Sequence, residues 1–469
     1  MSLPTKIVVI GAGSASFGEN TLSALMRSPK LKGSSLALVD QNSHNLDIVY
    51  RLAQRLNREW KSGIKLSAHL HHRDALEGAS FVVSAIEVGP REELWKKDFE
   101  IPLKYGVRQP YAENGGPGGF AHAARNVMPV LEIARDMEEI CPQAWFINFT
   151  NPMVRICDLV NRHTTIKVVG LCHQIYVGYV FVGMILANEL GIQVPEGITG
   201  MHAYSGEHVA KARVLEQVLP LVEIEAAGTN HFTWILSMHR RDTGEDLYPI
   251  FRQRWNEFNP AFEPLTRRVF NAFGLFPVPG DTHLCEYLPW VSDPKTKPWE
   301  KYNLRLYDWE LAANLRNLGL SRLENMADNA LPVDELLDTD SEGALEIIEN
   351  IAGAGNHYHL AANLPNRGQI PNLPLNSIVE TPVVVNGSGI HPVHIGQPAG
   401  HMLPEPIAEL CRRELTAAQI GIDAAVEGDR QKALQCLLLD PVITDMETAR
   451  SVLDDYLLSY KDHLPQFWK

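Results

Sequence analysis

The chain has 469 residues, 45% of them hydrophobic, which is enough apolar material for a large core and two domains. A formal net charge of −14 excludes the basic stripe that a nucleic-acid surface needs, and no apolar run is long enough to span a membrane. The six cysteines are scattered and the N-terminus shows no charged leader before an apolar segment, so a reduced, cytoplasmic protein without a disulfide framework is expected.

In chain order, KIVVIGAG (6–13) reads as a strand running into glycines, and residues 17–28 follow with helical spacing. Residues 34–40 form a second strand ending in Asp40, and residues 45–60 a helix. Further strands are expected at 64–70, 80–86, 144–149 and 166–171, with helices at 91–104 and 119–140. Strands alternating with helices predict an α/β fold: a Rossmann-like, mostly parallel sheet with helices on both faces, covering residues 1–195. Beyond about residue 195 the rhythm changes. Helices are expected at 208–225, 301–317, 340–352, 403–427, 430–438 and 446–458, with a strand at 377–385. Residues 196–469 therefore read as a C-terminal mixed α+β domain.

The first strand turn carries Gly11 and Gly13 in G-x-G spacing. The first glycine permits the tight turn, and the second lets backbone approach a pyrophosphate at a helix N-terminus. The third position is Ser16 instead of glycine, so packing there must differ, through Phe17 and Gly18. Asp40 can accept a ribose hydroxyl and repels a 2′-phosphate, which favours NAD over NADP. Gly11, Gly13, Ser14, Phe17, Asp40 and Asn148 make up the candidate cofactor set. The bland alternative is a structural glycine turn.

Four later stretches hold reactive side chains. Asn148 and Asn151 follow a strand in NFTNPM and suit a nicotinamide ribose or a sugar hydroxyl, or simply a turn. Cys172 ends a buried strand in GLCHQ and can be a metal ligand, a nucleophile or an inert thiol. His231 can supply an imidazole to a divalent ion beside it, with His202, His173, His357 and His359 as competitors. Asp281 and His283, in VPGDTHLCEY, offer a general base and a neighbouring sugar contact. Arg91, Arg125, Arg155 and Arg367 are the cations available to a charged substrate, and Arg367 in PNRGQ is the preferred substrate contact.

These motifs, together with YGVRQPYAENGGPGG, ARNVMPVLEIARDM, GTNHFTWI and LPNRGQIPNLP, occur in an order that resembles the NAD- and manganese-dependent glycosidases, family 4 of the glycoside hydrolases. The resemblance is strongest to the α-specific branch, the α-glucosidases, α-galactosidases and α-galacturonidases. It implies a redox-assisted elimination: hydride transfer from C3 of the sugar to NAD+, removal of the acidified C2 proton, loss of the C1 substituent, addition of water and return of the hydride. It further implies that Cys172 and His231 bind Mn2+ or another divalent ion, that Asn151 contacts sugar hydroxyls, that Asp281 is the C2 base, and that His173 touches the sugar or assists the leaving group. Glu113 stands where relatives carry an aspartate and is the second candidate base, while Glu87 stands where many carry arginine. Residues 200–225 look like an insertion, a lid or an oligomer interface. The expected substrate is a non-phosphorylated α-glycoside or α-uronide, and the expected assembly a homodimer or homotetramer. The alternative is an NAD-dependent dehydrogenase of a sugar or hydroxy acid, with net NADH production.

Overall fold

The computed structural model describes residues 4–15, 20–109, 111–201, 207–339, 341–395 and 402–469. Its first six strands are β1 (Lys6–Ile10), β2 (Ser35–Val39), β3 (Lys65–His69), β4 (Phe81–Ser84), β5 (Trp145–Asn148) and β6 (Lys167–Gly170). They pair in parallel in the order β3-β2-β1-β4-β5-β6. The period-2 alternation of a strand explains why helices are needed on both faces. Val8, Ile10, Val82, Phe146 and Val168 enter one apolar cluster with the helices Gly116–Ile140 and Met153–His163. Ile7, Val9, Val83, Ile147 and Val169 enter the other, with the helix Ser43–Glu59. That helix holds Ile48 and Val49 in its interior although both are modest helix formers. Burying each contributes about 1.5–3 kcal/mol, against a propensity cost of about 0.7 kcal/mol or less, so packing decides.

The remaining strands are β7 (Val222–Thr229), β8 (Phe232–Arg240), β9 (Phe276–Pro277), β10 (Asn356–Pro365), β11 (Ile378–Asn386) and β12 (Gly389–Pro392). They extend the same sheet through β6-β10-β11-β7-β8-β9, with β12 on β11. The added pairings are antiparallel. One register line crosses the seam: Gly170 of β6 faces Asn363 of β10, Asn363 faces Glu380 of β11, and Glu380 faces Gly228 of β7. The Rossmann-like α/β expectation holds, and the sheet has no break at residue 195.

Several expected elements differ. The helix predicted over 208–225 ends at Val218, and β7 begins at Val222. Val214, Val218, Val222 and Ile224 are all buried in a third apolar cluster against the helix Gln174–Ile185, so this part of the supposed insertion is core. The helix expected at 301–317 starts instead at Trp309, where the Asp308 carboxylate accepts the Leu311 amide, and it runs to Ala327. β8 and β10 were not expected. Among the described residues no helix is long and apolar enough to cross a membrane.

Candidate active site

The dinucleotide turn sits at the carboxyl ends of β1 and β2. Gly11 has φ +85°, and a Cβ there would lie 2.5 Å from the Ala85 carbonyl oxygen. A Cβ on Gly13 would lie 2.8 Å from Asp40 Oδ2. Only glycine lets the loop lie this close to β4 and to Asp40. The Gly13 amide donates to Asp40 Oδ2 at 2.8 Å, the Asn42 amide to Oδ1 at 2.8 Å, and the Ser14 amide to the Gly11 carbonyl at 3.2 Å. Each Asp40 oxygen keeps a second lone pair for a ribose, so the residues fit the dinucleotide. Phe17, with Ser16 and Gly18, lies outside the described residues. Asn148 is placed elsewhere than expected. It is fully buried, donates from Nδ2 to the Thr150 carbonyl at 2.9 Å and accepts the Thr150 amide at 3.2 Å. It holds the turn after β5 and presents no surface to a ribose.

Cys172 lies two residues beyond β6, and His231 lies in the tight turn between β7 and β8 with φ 60°. The Gln174 side chain accepts the His231 amide at 3.0 Å, which ties that turn to the helix after Cys172. Cys172 Sγ and His231 Nε2 are 3.4 Å apart. Bonds of roughly 2.0–2.3 Å to one common ion put a sulfur and a nitrogen about 3.1–3.5 Å apart. Burial, then His283 and His173, hold the His231 imidazole well below its usual range, so it is neutral and ligand-ready. Its Nδ1 is buried with no partner among the described residues. Burial, then Glu342 and Glu380, push the Cys172 thiol up; a bound cation would reverse that balance. The donor set fits a divalent transition ion. Of the competing histidines, His202 lies outside the described residues, and His357 and His359 sit toward the far end of β10, opposite Val385 and Val383. The exposed His173 turns to Glu342, Nδ1 to Oε1 3.3 Å, and that carboxylate raises it.

Glu113, His231 and His283 each bring one ligand-type atom within 4.8 Å of the other two. Glu113 Oε1 accepts Arg91 Nη2 at 2.9 Å and Asn151 Nδ2 at 3.4 Å, while Oε2 accepts Asn114 Nδ2 at 3.0 Å. Asn151 therefore joins the cluster. The His231 and His283 rings stack, centroids 4.1 Å apart and planes 19° apart. His283 Nδ1 is 3.0 Å from Glu286 Oε1, and Glu286 Oε2 accepts the amides of Glu113, Asn114 and Gly115 at 3.0, 2.9 and 3.1 Å. Sequence reasoning missed Glu286. Its only signal is its place three residues after His283.

Asp281 does not join this group. Its carboxylate accepts the Leu265 amide at 3.0 Å, the Thr266 amide at 2.6 Å and the Thr266 hydroxyl at 2.7 Å, closing the start of the helix Pro264–Phe273. Burial and the facing Glu263 push it well above the usual carboxylate range. Being two residues from His283 on one short helix, it points away from the histidine. In this structure the Asp281 carboxylate thus closes the start of that helix, while the C2-base expectation for it is taken up below.

Beneath Cys172 and His231, the buried Glu380 accepts Asn230 Nδ2 and Asn363 Nδ2, each at 3.2 Å, and the Thr233 hydroxyl. Three of the four arginines considered for a charged substrate are already paired. Arg91 meets Glu113, Arg125 makes a bidentate bond with Asp98, and Arg155 meets Glu414. Among the described residues the exposed Arg367 guanidinium has no ion-pair partner; its amide donates to Gln369.

Residues 6–189 match the family 4 glycosyl hydrolase profile, and residues 226–443 match the family 4 glycosyl hydrolase C-terminal domain. The chain is a family 4 glycosyl hydrolase. Among its relatives are an α-glucosidase of Erwinia rhapontici, 28% identical over 96% of this chain and 97% of that one, and an α-galactosidase of Bacillus subtilis, 29% identical over 98% and 99%. An α-galacturonidase of Thermoanaerobacterium saccharolyticum is 27% identical over 99% and 97%. The family 4 enzyme also superposes on the 6-phospho-β-glucosidase of Thermotoga maritima, solved with manganese, NAD+ and glucose-6-phosphate, at a TM-score of 0.77 and 21% identity over 98% of this chain and 99% of that one. That likeness concerns the fold.

Proposed function

We propose that this enzyme cleaves a neutral, non-phosphorylated α-glycoside, using NAD and a divalent ion, Mn2+ or a similar metal, held by Cys172 and His231. The observation that carries the reading is the 3.4 Å approach of a thiol to an imidazole at the carboxyl end of the sheet whose first turn is built for a dinucleotide. The α-glucosidase and α-galactosidase names of full-length relatives support it. When bound, the nicotinamide supplies reversible oxidation of the sugar ring and the cation supplies charge stabilisation beside it.

The chain's own residues supply position and proton handling. Asn151, beside Glu113, is placed to hydrogen-bond sugar hydroxyls near the ion. Glu113 is the carboxylate of the cluster and replaces Asp281 as the candidate for the C2 proton. His173, exposed and paired to Glu342, is the candidate to protonate a departing oxygen. A uronate is disfavoured because Arg91, Arg125 and Arg155 are already paired with Glu113, Asp98 and Glu414. A lone Arg367 is a hydroxyl contact on this reading, too little to hold a phosphate. A thiolate ligand suits a reduced compartment, and all six cysteines are free; a cytoplasmic homodimer or homotetramer belongs to the same reading.

The test is a panel of p-nitrophenyl α-glucoside, α-galactoside and α-galacturonide with NAD, Mn2+ and a thiol reductant. Aglycone release from a neutral member, lost on chelation and with no net NADH, is the expected result. Accumulating NADH without release would establish the dehydrogenase instead, and preference for the uronide would overturn the neutral-sugar assignment.

A further inference from the structure

We propose that Glu286 is a positioning residue that locks His283 into the tautomer that accepts a hydrogen bond, so that the site selects a sugar bearing a hydroxyl donor where His283 meets it. This rests on the neutral-glycoside reading above and adds to it the direction of one hydrogen bond and the residue that sets it.

Glu286 cannot turn. Its side chain is fully buried, and Oε2 takes the amides of Glu113, Asn114 and Gly115 at 3.0, 2.9 and 3.1 Å. Oε1 then meets His283 Nδ1 at 3.0 Å. Three amides on one oxygen stabilise the ionised carboxylate, which only accepts, so Nδ1 carries the hydrogen. The neutral ring therefore presents its lone pair on Nε2.

That lone pair has no partner within the protein. Among the described residues none hydrogen-bonds Nε2. The His283 side chain is 19% exposed while that of Glu286 is sealed, so the open edge of the ring is the one away from Nδ1. The ring is also clamped: His231 lies flat against it at 4.1 Å, and the Tyr111 ring stands edge-on at 5.0 Å. The two imidazole planes are only 19° apart, so their in-plane lone pairs run nearly parallel and do not converge on one ion. Nε2 is left to a substrate group. A carboxylate oxygen of Glu113 lies within 4.8 Å of a His283 ring nitrogen. Two acceptors side by side suit hydroxyl hydrogens and repel carboxylate or phosphate oxygens. A site built to meet a donor also rejects an analogue that lacks it, because its own acceptor is then stranded.

Glu286→Gln reverses the polarity without removing the ring. The amide oxygen can still take the three backbone amides while its NH2 faces Nδ1. Nδ1 must then accept, the hydrogen moves to Nε2, and His283 becomes a donor.

Two measurements test this. The first is long-range proton–nitrogen NMR of the full chain carrying 15N-labelled histidine, without metal or sugar, at mildly alkaline pH; His283→Phe identifies the resonances. Wild type should carry the hydrogen on Nδ1 of a neutral His283, and Glu286→Gln on Nε2. The second compares monodeoxy and monofluoro forms of the sugar released in the panel above as inhibitors. Fluorine accepts but cannot donate, so at one ring position both changes should weaken wild-type binding about tenfold. In Glu286→Gln the fluoro penalty at that position should fall below about twofold, because Nε2–H now meets an acceptor. In His283→Phe the discrimination should vanish. A merely structural defect would weaken every analogue alike, and thermal unfolding shows whether each variant is folded; if Glu286→Gln is not, wild type and His283→Phe decide. A hydrogen on Nε2 in wild type, or unchanged hydroxyl discrimination in a folded variant, overturns the proposal. Wild type that carries the expected tautomer but binds no neutral sugar overturns the neutral-glycoside reading, and the acceptor role with it, a result distinct from the wrong tautomer in a protein that binds sugar.

Discussion

The Asp281 carboxylate accepts two amides and a hydroxyl at the start of the helix Pro264–Phe273, and its own amide donates to Glu263 Oε2 at 2.5 Å. Removing such a cap costs about 0.5–2 kcal/mol, and stranding its buried amides about 1–3 kcal/mol. Asp281→Ala is therefore expected to lower the denaturant midpoint while turnover per folded molecule stays within a few-fold of wild type. Glu113→Gln is expected to do the reverse, slowing turnover at least about tenfold with little change in midpoint, in line with the usual range for a lost acid or base. Kinetics normalised to folded protein would separate the two; a large kinetic defect in Asp281→Ala would restore the C2-base role to that residue. The stretches that bring Cys172 and His231 together stood out because each sits in a distinctive local motif at a strand end or turn. Asp281 was ambiguous because a turn carboxylate and a base look alike in one dimension, and its contacts to Leu265 and Thr266 are invisible there. Glu286 was invisible because its partners, the amides of residues 113–115, lie more than 170 positions away and carry no side-chain signature.

Elements of the first half were readable because each strand is a short apolar run closed by a turn signal. The helix–strand boundary after residue 218 was not, because Val214, Val218 and Val222 keep four-residue spacing across it. β10 carries His357, His359 and the buried Asn363 among its apolar residues, which breaks the alternation that marks a half-buried strand. Long-range polar contacts between elements are equally unreadable. Asp98 of the helix Arg91–Leu103 holds Arg125 at 2.7 and 2.6 Å and accepts the Tyr460 hydroxyl at 2.7 Å, while the Tyr456 hydroxyl donates to its carbonyl at 2.6 Å. Both tyrosines lie at the end of the chain's last long helix, Met446–Ser459, or just past it. Asp98→Ala would leave the Arg125 guanidinium buried and unpaired, a loss of about 3–5 kcal/mol. Urea unfolding of the variant should show it; a change below about 1 kcal/mol would mean that Arg125 finds water or another acceptor.

At the scale of the molecule, the two family profiles leave residues 190–225 between them, yet one sheet carries strands from both. β6 is the last parallel strand and pairs directly with β10. One apolar cluster contains Val8 and Val82 of the parallel half together with Ile407, Leu415, Val452 and Tyr456 from the C-terminal helices. The site is split in the same way, since Cys172 follows β6 and His231 and His283 come from beyond residue 226. If each half had its own core, heating would melt them separately. With a shared sheet and a shared core, opening one half exposes the β6 edge and the apolar faces of the other, so neither is a stable partner for water. Calorimetry of the full chain is expected to give one transition whose van't Hoff and calorimetric enthalpies agree. Adding Mn2+ should move that whole transition upward, because an ion that binds only the folded state and joins residues of both halves stabilises both. Two resolved transitions, with metal shifting only one of them, would show that the seam between β6 and β10 is a contact between independent domains.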